Sequence, residues 1–148
     1  MFIEAGRLYI PDGSPNDAGA FFLNTQDNAL EAAYPAGQWL KIRPPLLPRE
    51  ARAVMLGGML LITQSQSGSG CNLTVALRRP GYAWDAAYFW QCIEYTPGSG
   101  QRSPVTAIVP CVLGEFELKW VKSPAGILPD WPVAPAFGIN LSMMGYWL

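Results

Sequence analysis

The amino-acid sequence predicts an all-β protein, a two-sheet antiparallel β-sandwich that is jelly-roll-like and carries a poorly regular N-terminal arm. The 15 glycines and 14 prolines stand between short apolar segments, which is typical of strands joined by turns. From the middle of the chain onward, apolar and polar residues alternate with a period of two, the period of a half-buried strand. About eight such segments can be distinguished, a number that favours a sandwich or jelly roll over a small barrel.

Three segments predict strands most clearly. In Asn72–Arg79 every second residue from Leu73 to Leu77 is apolar, so these side chains share one face. Pro80-Gly81 then ends the segment, because proline cannot donate a ladder hydrogen bond and glycine permits a turn. The same alternation marks the other two segments, Gly114–Val121 and Phe137–Leu148.

The remaining elements are less regular. The longest apolar run, Ala53–Thr63, predicts a central strand that is covered on both faces and is bent or bulged at Gly57-Gly58. Shorter segments predict further strands, and a stretch poor in strand formers predicts one or two helical turns. The strand segments are Leu8–Ile10, Trp39–Arg43, Tyr88–Tyr95 and Val105–Val109, and the helical segment is Asp27–Tyr34.

The chain is expected to have two parts. Residues 1–50 are predicted to form an extended N-terminal docking segment with short strands or a helical turn, and residues 51–148 the β-sandwich domain. Proline clusters at 11–15 and 44–48 and weak periodicity set the first part apart. A long stretch without strong structure of its own is usually functional or supported by a partner. Removal of residues 1–45 is therefore expected to leave a folded sandwich.

Composition and charge exclude several functions. Half of the residues are hydrophobic and 14% are charged, which excludes intrinsic disorder. Ten basic and eleven acidic residues give a net charge of −1, so no basic field attracts nucleic acid. Histidine, the commonest general base and metal ligand, is absent. We expect no enzymatic activity, no cofactor and no metal. A charged N-terminus and the lack of a run of about 20 apolar residues predict neither a secretion signal nor membrane insertion.

Two groups of reactive side chains have structural explanations. Cys71, Cys92 and Cys111 form no Cys-x-x-Cys unit and are interpreted as small buried hydrophobes, with a disulfide between two of them left open. Glu115 and Glu117 share one strand face at about 6–7 Å, a separation that paired-carboxylate glycosidases also use. Lys119 continues the same row, so we interpret all three charges as a solvated sheet face.

Exposed aromatic residues are the candidate binding residues. Residues 82–90 are rich in rings, and Asp85 interrupts this run, which places Tyr82 and Trp84 in a loop. Trp131 lies in a segment with four prolines, which stiffen a loop and lower the entropy lost on contact. We expect Tyr82, Trp84 and Trp131 to contact a receptor glycan or a protein partner. The other rings of the run are interpreted as core residues.

The strand pattern of four segments resembles that of a known protein family. In the order Ala53–Thr63, Leu73–Gly81, Gly114–Trp120 and Ile139–Leu148, the chain is similar to the small jelly-roll-like β-sandwich structural proteins of tailed bacteriophages. These are head-decoration, head-fibre and tail-tip modules. The resemblance covers roughly residues 50–148 and includes no catalytic or ligand motif. It implies a virion protein made in the host cytoplasm, with residues 1–50 as the arm that docks on the capsid or tail.

The resemblance and the composition together predict the function. We expect a non-enzymatic virion structural protein whose partners are other capsid or tail proteins. The family also implies a homo-oligomer, with trimers common among such proteins, and few charges with many apolar residues suit a subunit that buries surface in an assembly. The alternative is a carbohydrate- or receptor-binding module that stacks a host-surface glycan on exposed aromatic rings.

Overall fold

A computed structural model of the chain describes residues 8–9, 21–63, 71–82, 88–94, 100–123 and 136–148. This part of the chain contains nine strands and one short helix. In chain order they are β1 (Leu8–Tyr9), β2 (Phe21–Gln26), α1 (Asp27–Ala33), β3 (Leu40–Ile42), β4 (Ala53–Thr63), β5 (Cys71–Arg78), β6 (Tyr88–Glu94), β7 (Gln101–Pro110), β8 (Phe116–Ser123) and β9 (Ala136–Trp147). The short helix lies inside the segment predicted to be helical, and β2 is a strand that the sequence did not predict.

The strands form two antiparallel sheets, so the predicted two-sheet β-sandwich is confirmed. In the five-stranded sheet, β1 and β2 both pair with β9, which is followed by β4 and then β7. The four-stranded sheet has the order β3, β8, β5, β6. β4 pairs with β9 in one sheet, and β5 pairs with β8 in the other. Each sheet therefore combines strands from the first and the second half of the chain.

The core lies between the sheets and is filled by alternate residues of each strand. Its largest side chain is Trp120, which is 1% exposed. The Trp120 indole Nε1 donates a hydrogen bond to the Tyr34 carbonyl at 2.6 Å, and the Gly37 amide donates to the Trp120 carbonyl at 2.8 Å. A buried tryptophan needs such a partner for its N–H group. The segment after α1 therefore supplies the hydrogen-bond partners of the largest side chain in the core and of its carbonyl.

Residues 21–50 contribute to this same sandwich. Leu30 of α1, Ile42 of β3 and Leu47 are all buried in the hydrophobic core, at 0%, 5% and 4% exposure. Backbone hydrogen bonds tie β2 to β9 and β3 to β8. Short strands and a helical turn were predicted in this segment. The structure shows in addition that some of its side chains are part of the hydrophobic core.

The bulge that was predicted at Gly57-Gly58 is wrong in position. The pairing of β4 with β9 runs through both glycines without a shift, and the register changes one residue earlier, between Met55 and Leu56. The extra residue is Met144 on β9, since its neighbours Met143 and Gly145 pair with Leu56 and Met55. The two glycines serve close packing, not a bulge. At Gly58 an added Cβ would lie 1.9 Å from the Asn140 carbonyl oxygen.

No disulfide joins any two of the three cysteines, and all three are buried. Cys71 and Cys92 are fully buried, and Cys111 is 7% exposed. The interpretation of these residues as small buried hydrophobes is therefore confirmed, and the disulfide that had been left open is not formed.

Candidate functional site

Of the three predicted binding residues, Tyr82 is described by the structure. Tyr82 is the last residue of the Arg79–Tyr82 turn, and its amide donates a hydrogen bond to the Arg79 carbonyl at 3.2 Å. Gly81, the third residue of this turn, has a φ of 74°. Pro80 before a glycine with positive φ is the pattern of a type II turn, so the predicted turn is confirmed. The Tyr82 side chain is 47% exposed, as a contact residue requires. Glycan or receptor binding by Tyr82 stays a prediction.

The other two residues, Trp84 and Trp131, lie outside the described residues. The strands on either side of them can still be compared. We call the end of the sandwich where β5 ends and β6 and β8 begin the first end, and the opposite end the second end. The strand ends on either side of Trp84 in the sequence, those of β5 and β6, lie at the first end, and the strand ends on either side of Trp131, those of β8 and β9, lie at the second end.

The outer face of the five-stranded sheet carries several exposed or half-buried apolar side chains. Alternation along β4 turns Val54, Leu56, Leu60 and Ile62 into the core, so the odd-numbered residues face outward. We define the outer face by five apolar side chains: Met55, Met59, Leu61, Ile108 and Met144. Ile108 is 45% and Met144 46% exposed, and the other three are half-buried. The prediction that β4 is covered on both faces is therefore right only for its inner side.

This outer face is almost free of charge. Among its described residues Arg102 carries the charge, and it lies on the edge strand β7 near the second end, opposite Leu61. The remaining outward positions of β7 and β9 are the half-buried Trp147 and a set of small, polar or proline residues, namely Pro104, Thr106, Pro110, Gly138, Asn140, Ser142 and Gly145. Exposed apolar side chains gathered on one nearly uncharged sheet face are typical of an interaction surface.

Met144 gives this face its shape. Its side chain lies over Gly57, where an added Cβ would be 3.1 Å from both the Met144 Cγ and Sδ atoms. The Ser142 hydroxyl beside it donates to the Gly57 carbonyl at 3.2 Å. Methionine side chains are unbranched and polarisable and adapt to different partner surfaces. Three of the five methionines of the chain lie on this face, at positions 55, 59 and 144.

The outer face of the four-stranded sheet carries charges instead. Arg78 Nε contacts Glu117 Oε2 at 2.5 Å, and the Arg78 guanidinium lies 3.9 Å from the centre of the Trp39 ring. Lys119 Nζ is 5.1 Å from the same ring. Glu117 is thus committed to an ion pair and only 9% exposed, while Glu115 lies in the turn before β8. The interpretation of the three charges as one solvated sheet face is therefore wrong for Glu117, which is buried in an ion pair, and for Glu115, which lies before the first residue of β8.

Sequence reasoning missed two exposed or partly exposed aromatic residues and the outer face itself. Trp39 stacks under Arg78, and Phe89 on the edge strand β6 is 62% exposed. The interpretation of the other rings of residues 82–90 as core residues is right for Trp90, which is 9% exposed, and wrong for Tyr88 and Phe89, which are 36% and 62% exposed. The surroundings of Trp39 and Phe89 depend on which strands become neighbours, which a single sequence does not show. The outer face did have a signal, the unbroken apolar run of β4, which is compatible with two covered faces or with one covered and one exposed face.

The Cys111 thiol has a strongly perturbed acidity. Burial raises its pKa from 9.0 to about 12, and a backbone hydrogen bond with Val54 offsets part of this effect. The thiol is protonated at neutral pH, whereas the thiolate is the nucleophilic form of cysteine. Cys111 therefore lacks the acidity of a reactive cysteine.

This pKa predicts a loss of stability in alkali. Above pH 9 the unfolded chain ionises this thiol while the folded protein keeps the proton up to about pH 12. The free energy of unfolding is expected to fall by about 1.4 kcal/mol per pH unit between these values. Urea unfolding at pH 8, 9.5 and 10.5 measures this slope. Cys111→Ala is the control, and equal slopes for the two proteins would show that the thiol titrates normally.

The described residues contain no group of three or more potential metal-ligating side chains. Within the same part of the chain, no helix has the length and hydropathy of a membrane span. Comparison with protein-family models and with curated proteins finds no match to this sequence. The surfaces described above are the features of the molecule that bear on its function.

Proposed function

We propose that this protein is a non-enzymatic structural protein of a virus particle, a jelly-roll-like β-sandwich subunit attached to the capsid or tail of a tailed phage. The resemblance of residues 50–148 to such modules supports the class. The observation that carries the proposal is the outer face of the five-stranded sheet, which is apolar and nearly uncharged over the length of β4. A protein that exposes such a face gains stability and solubility by covering it.

The occupant of this face is proposed to be a second copy of the chain. The 11 residues of β4 span about 36 Å at roughly 3.3 Å per residue, and the three strands that carry the outer face, β7, β4 and β9, span about 14 Å. The face therefore covers about 500 Å², at the upper end of the roughly 300–600 Å² of the largest apolar patch on a typical monomer. A patch of this size is often an interaction surface.

The charge distribution also favours a second copy. In a twofold interface each surface meets itself, so a charge near the centre would face its own copy and repel it. The single charged residue of the described outer face, Arg102, lies near one end of an edge strand. The centre of the face, at Met59 and Met144, is neutral, which permits self-pairing without unpaired buried charge.

A pair of matched substitutions tests this interface. Ile108→Asp is expected to convert an oligomer into a monomer, because it places a carboxylate in an apolar contact. Val121→Asp is the control, since Val121 is similarly exposed, at 43% against 45%, but lies in the four-stranded sheet. Light scattering after size exclusion measures the mass of each protein, and circular dichroism verifies folding.

Three outcomes are informative. An oligomeric wild type and Val121→Asp with a monomeric Ile108→Asp supports the proposed interface. A wild type that is monomeric at micromolar concentration overturns self-association through this face. An oligomer that survives Ile108→Asp places the subunit contacts elsewhere.

A further inference from the structure

Two leucines at the first end have an unusual backbone conformation. Leu46 has a φ of 68° and Leu113 a φ of 54°, and among the described residues they are the two non-glycine positions with positive φ. This left-handed region is unfavourable for residues with a Cβ, and most of all for bulky ones. Both side chains are also exposed, Leu46 at 56% and Leu113 at 58%.

The turns that hold them normally contain other residues. Leu46 is the third residue of the Pro44–Leu47 turn, in which the Leu47 amide donates to the Pro44 carbonyl at 3.3 Å. The third position of such a type II turn favours glycine or asparagine. Leu113 is the second residue of the Val112–Glu115 turn, which is closed by two backbone hydrogen bonds of 3.0 and 3.1 Å. With positive φ at Leu113 and Gly114, this is a type I′ turn, which favours Asn-Gly.

The two turns are packed against each other. A Cβ added to Gly114 would lie 2.8 Å from the Pro48 carbonyl oxygen and 3.3 Å from the Leu47 carbonyl oxygen. Leu46 and Leu113 are each one residue from this contact. They therefore form a pair of exposed apolar side chains on one end of the sandwich. Neither the backbone strain nor the exposure stabilises the isolated protein, and strained backbone conformations cluster at functional sites.

The surroundings of the pair are basic. Four arginines on the connections at this end are exposed, Arg43, Arg49, Arg52 and Arg79, and two glutamates, Glu50 and Glu115, lie among them. Among the described residues of these connections four arginines stand against two glutamates, whereas the chain as a whole has a net charge of −1. Two copies brought together through this end would repel each other. The charge therefore favours an acidic partner.

We propose that Leu46 and Leu113, with these four arginines, form a docking surface for an acidic protein that offers apolar pockets to the two leucines. We call it the leucine surface. This inference rests on the proposed function, since the partner is another protein of the same particle. It assigns the two surfaces different roles, with the outer face binding a second copy and the leucine surface attaching the subunit to the particle.

The test uses the double variant Leu46→Gly and Leu113→Asn in the full chain. Both substitutions relieve the strained turns, so the melting temperature is expected to rise by several degrees. Tagged wild type or variant is supplied during assembly of the phage that encodes the chain, and its copy number in purified particles is counted by mass spectrometry. Incorporation of the variant is expected to fall at least tenfold while its oligomeric state is unchanged.

Further variants separate the possible explanations. Val121→Asn, on the outer side of the four-stranded sheet, is the control and is expected to be incorporated like the wild type. Arg49→Glu with Arg79→Glu is expected to reduce incorporation at least tenfold. Normal incorporation of the leucine variant overturns the leucine surface and leaves the proposed function intact. Normal incorporation of the charge variant overturns the acidic partner. Absence of the wild type from particles overturns both proposals.

Discussion

Replacing Gly58 by alanine is expected to unfold the protein or to leave it barely stable. An added Cβ would lie 1.9 Å from the Asn140 carbonyl oxygen, 2.9 Å from its carbonyl carbon and 3.0 Å from the Leu141 Cα atom. All three are backbone atoms of β9, which is held on both sides by β4 and β2. The backbone must therefore move at the centre of the five-stranded sheet. We expect a loss above about 3 kcal/mol, a large part of the 5–15 kcal/mol that stabilises a typical domain.

Gly57→Ala provides a matched control one residue away. The Cβ added there would meet the Met144 side chain, with the Cγ and Sδ atoms at 3.1 Å. The Met144 side chain is 46% exposed and can turn away from the added Cβ. The expected loss in the free energy of unfolding is therefore below about 1.5 kcal/mol. Urea unfolding followed by tryptophan fluorescence compares the two variants. Similar urea midpoints for the two variants would show that the β9 backbone at Asn140 moves aside as easily as the Met144 side chain does.

The two glycines show how far the sequence can predict this fold. Alternation of apolar and polar residues identified β5, β8 and β9, and an apolar run identified β4, because these patterns are local. The role of Gly57 and Gly58 depends on the strand that lies beside them, which is about 80 residues away in the chain. A glycine that accommodates a close neighbour and a glycine that forms a bulge look the same in a single sequence.

The surfaces were predictable to a smaller extent, for a related reason. Aromatic residues draw attention as contact residues, and Tyr82 is exposed as expected. The outer face becomes visible only when β4 is placed between β9 and β7 and its register is known. Leu46 and Leu113 occupy turn positions where glycine or asparagine is usual. Composition therefore gives no sign of either turn conformation.

Deleting residues 1–45 is expected to abolish folding, which reverses the expectation from the sequence. The deletion removes β2, α1 and β3, and with them Leu30 and Ile42, which are 0% and 5% exposed in the core. Each lost side chain costs about 2–5 kcal/mol as a cavity. The Trp120 indole also loses its acceptor at Tyr34, and a buried unpaired donor costs about 1–3 kcal/mol more. The sum is comparable to the whole stability of a domain.

The truncated chain is also expected to aggregate. Without β2 and β3, the backbone groups of β9 and β8 that they pair with become unprotected sheet edges, and such edges recruit other chains. Soluble yield, circular dichroism and thermal unfolding compare residues 46–148 with residues 21–148, which retain all described elements except β1. A cooperative thermal transition in 46–148 would restore the N-terminal segment as a separable arm. Folding of 21–148 alone would instead place the boundary of the sandwich before β2 and confine any docking arm to the first 20 residues.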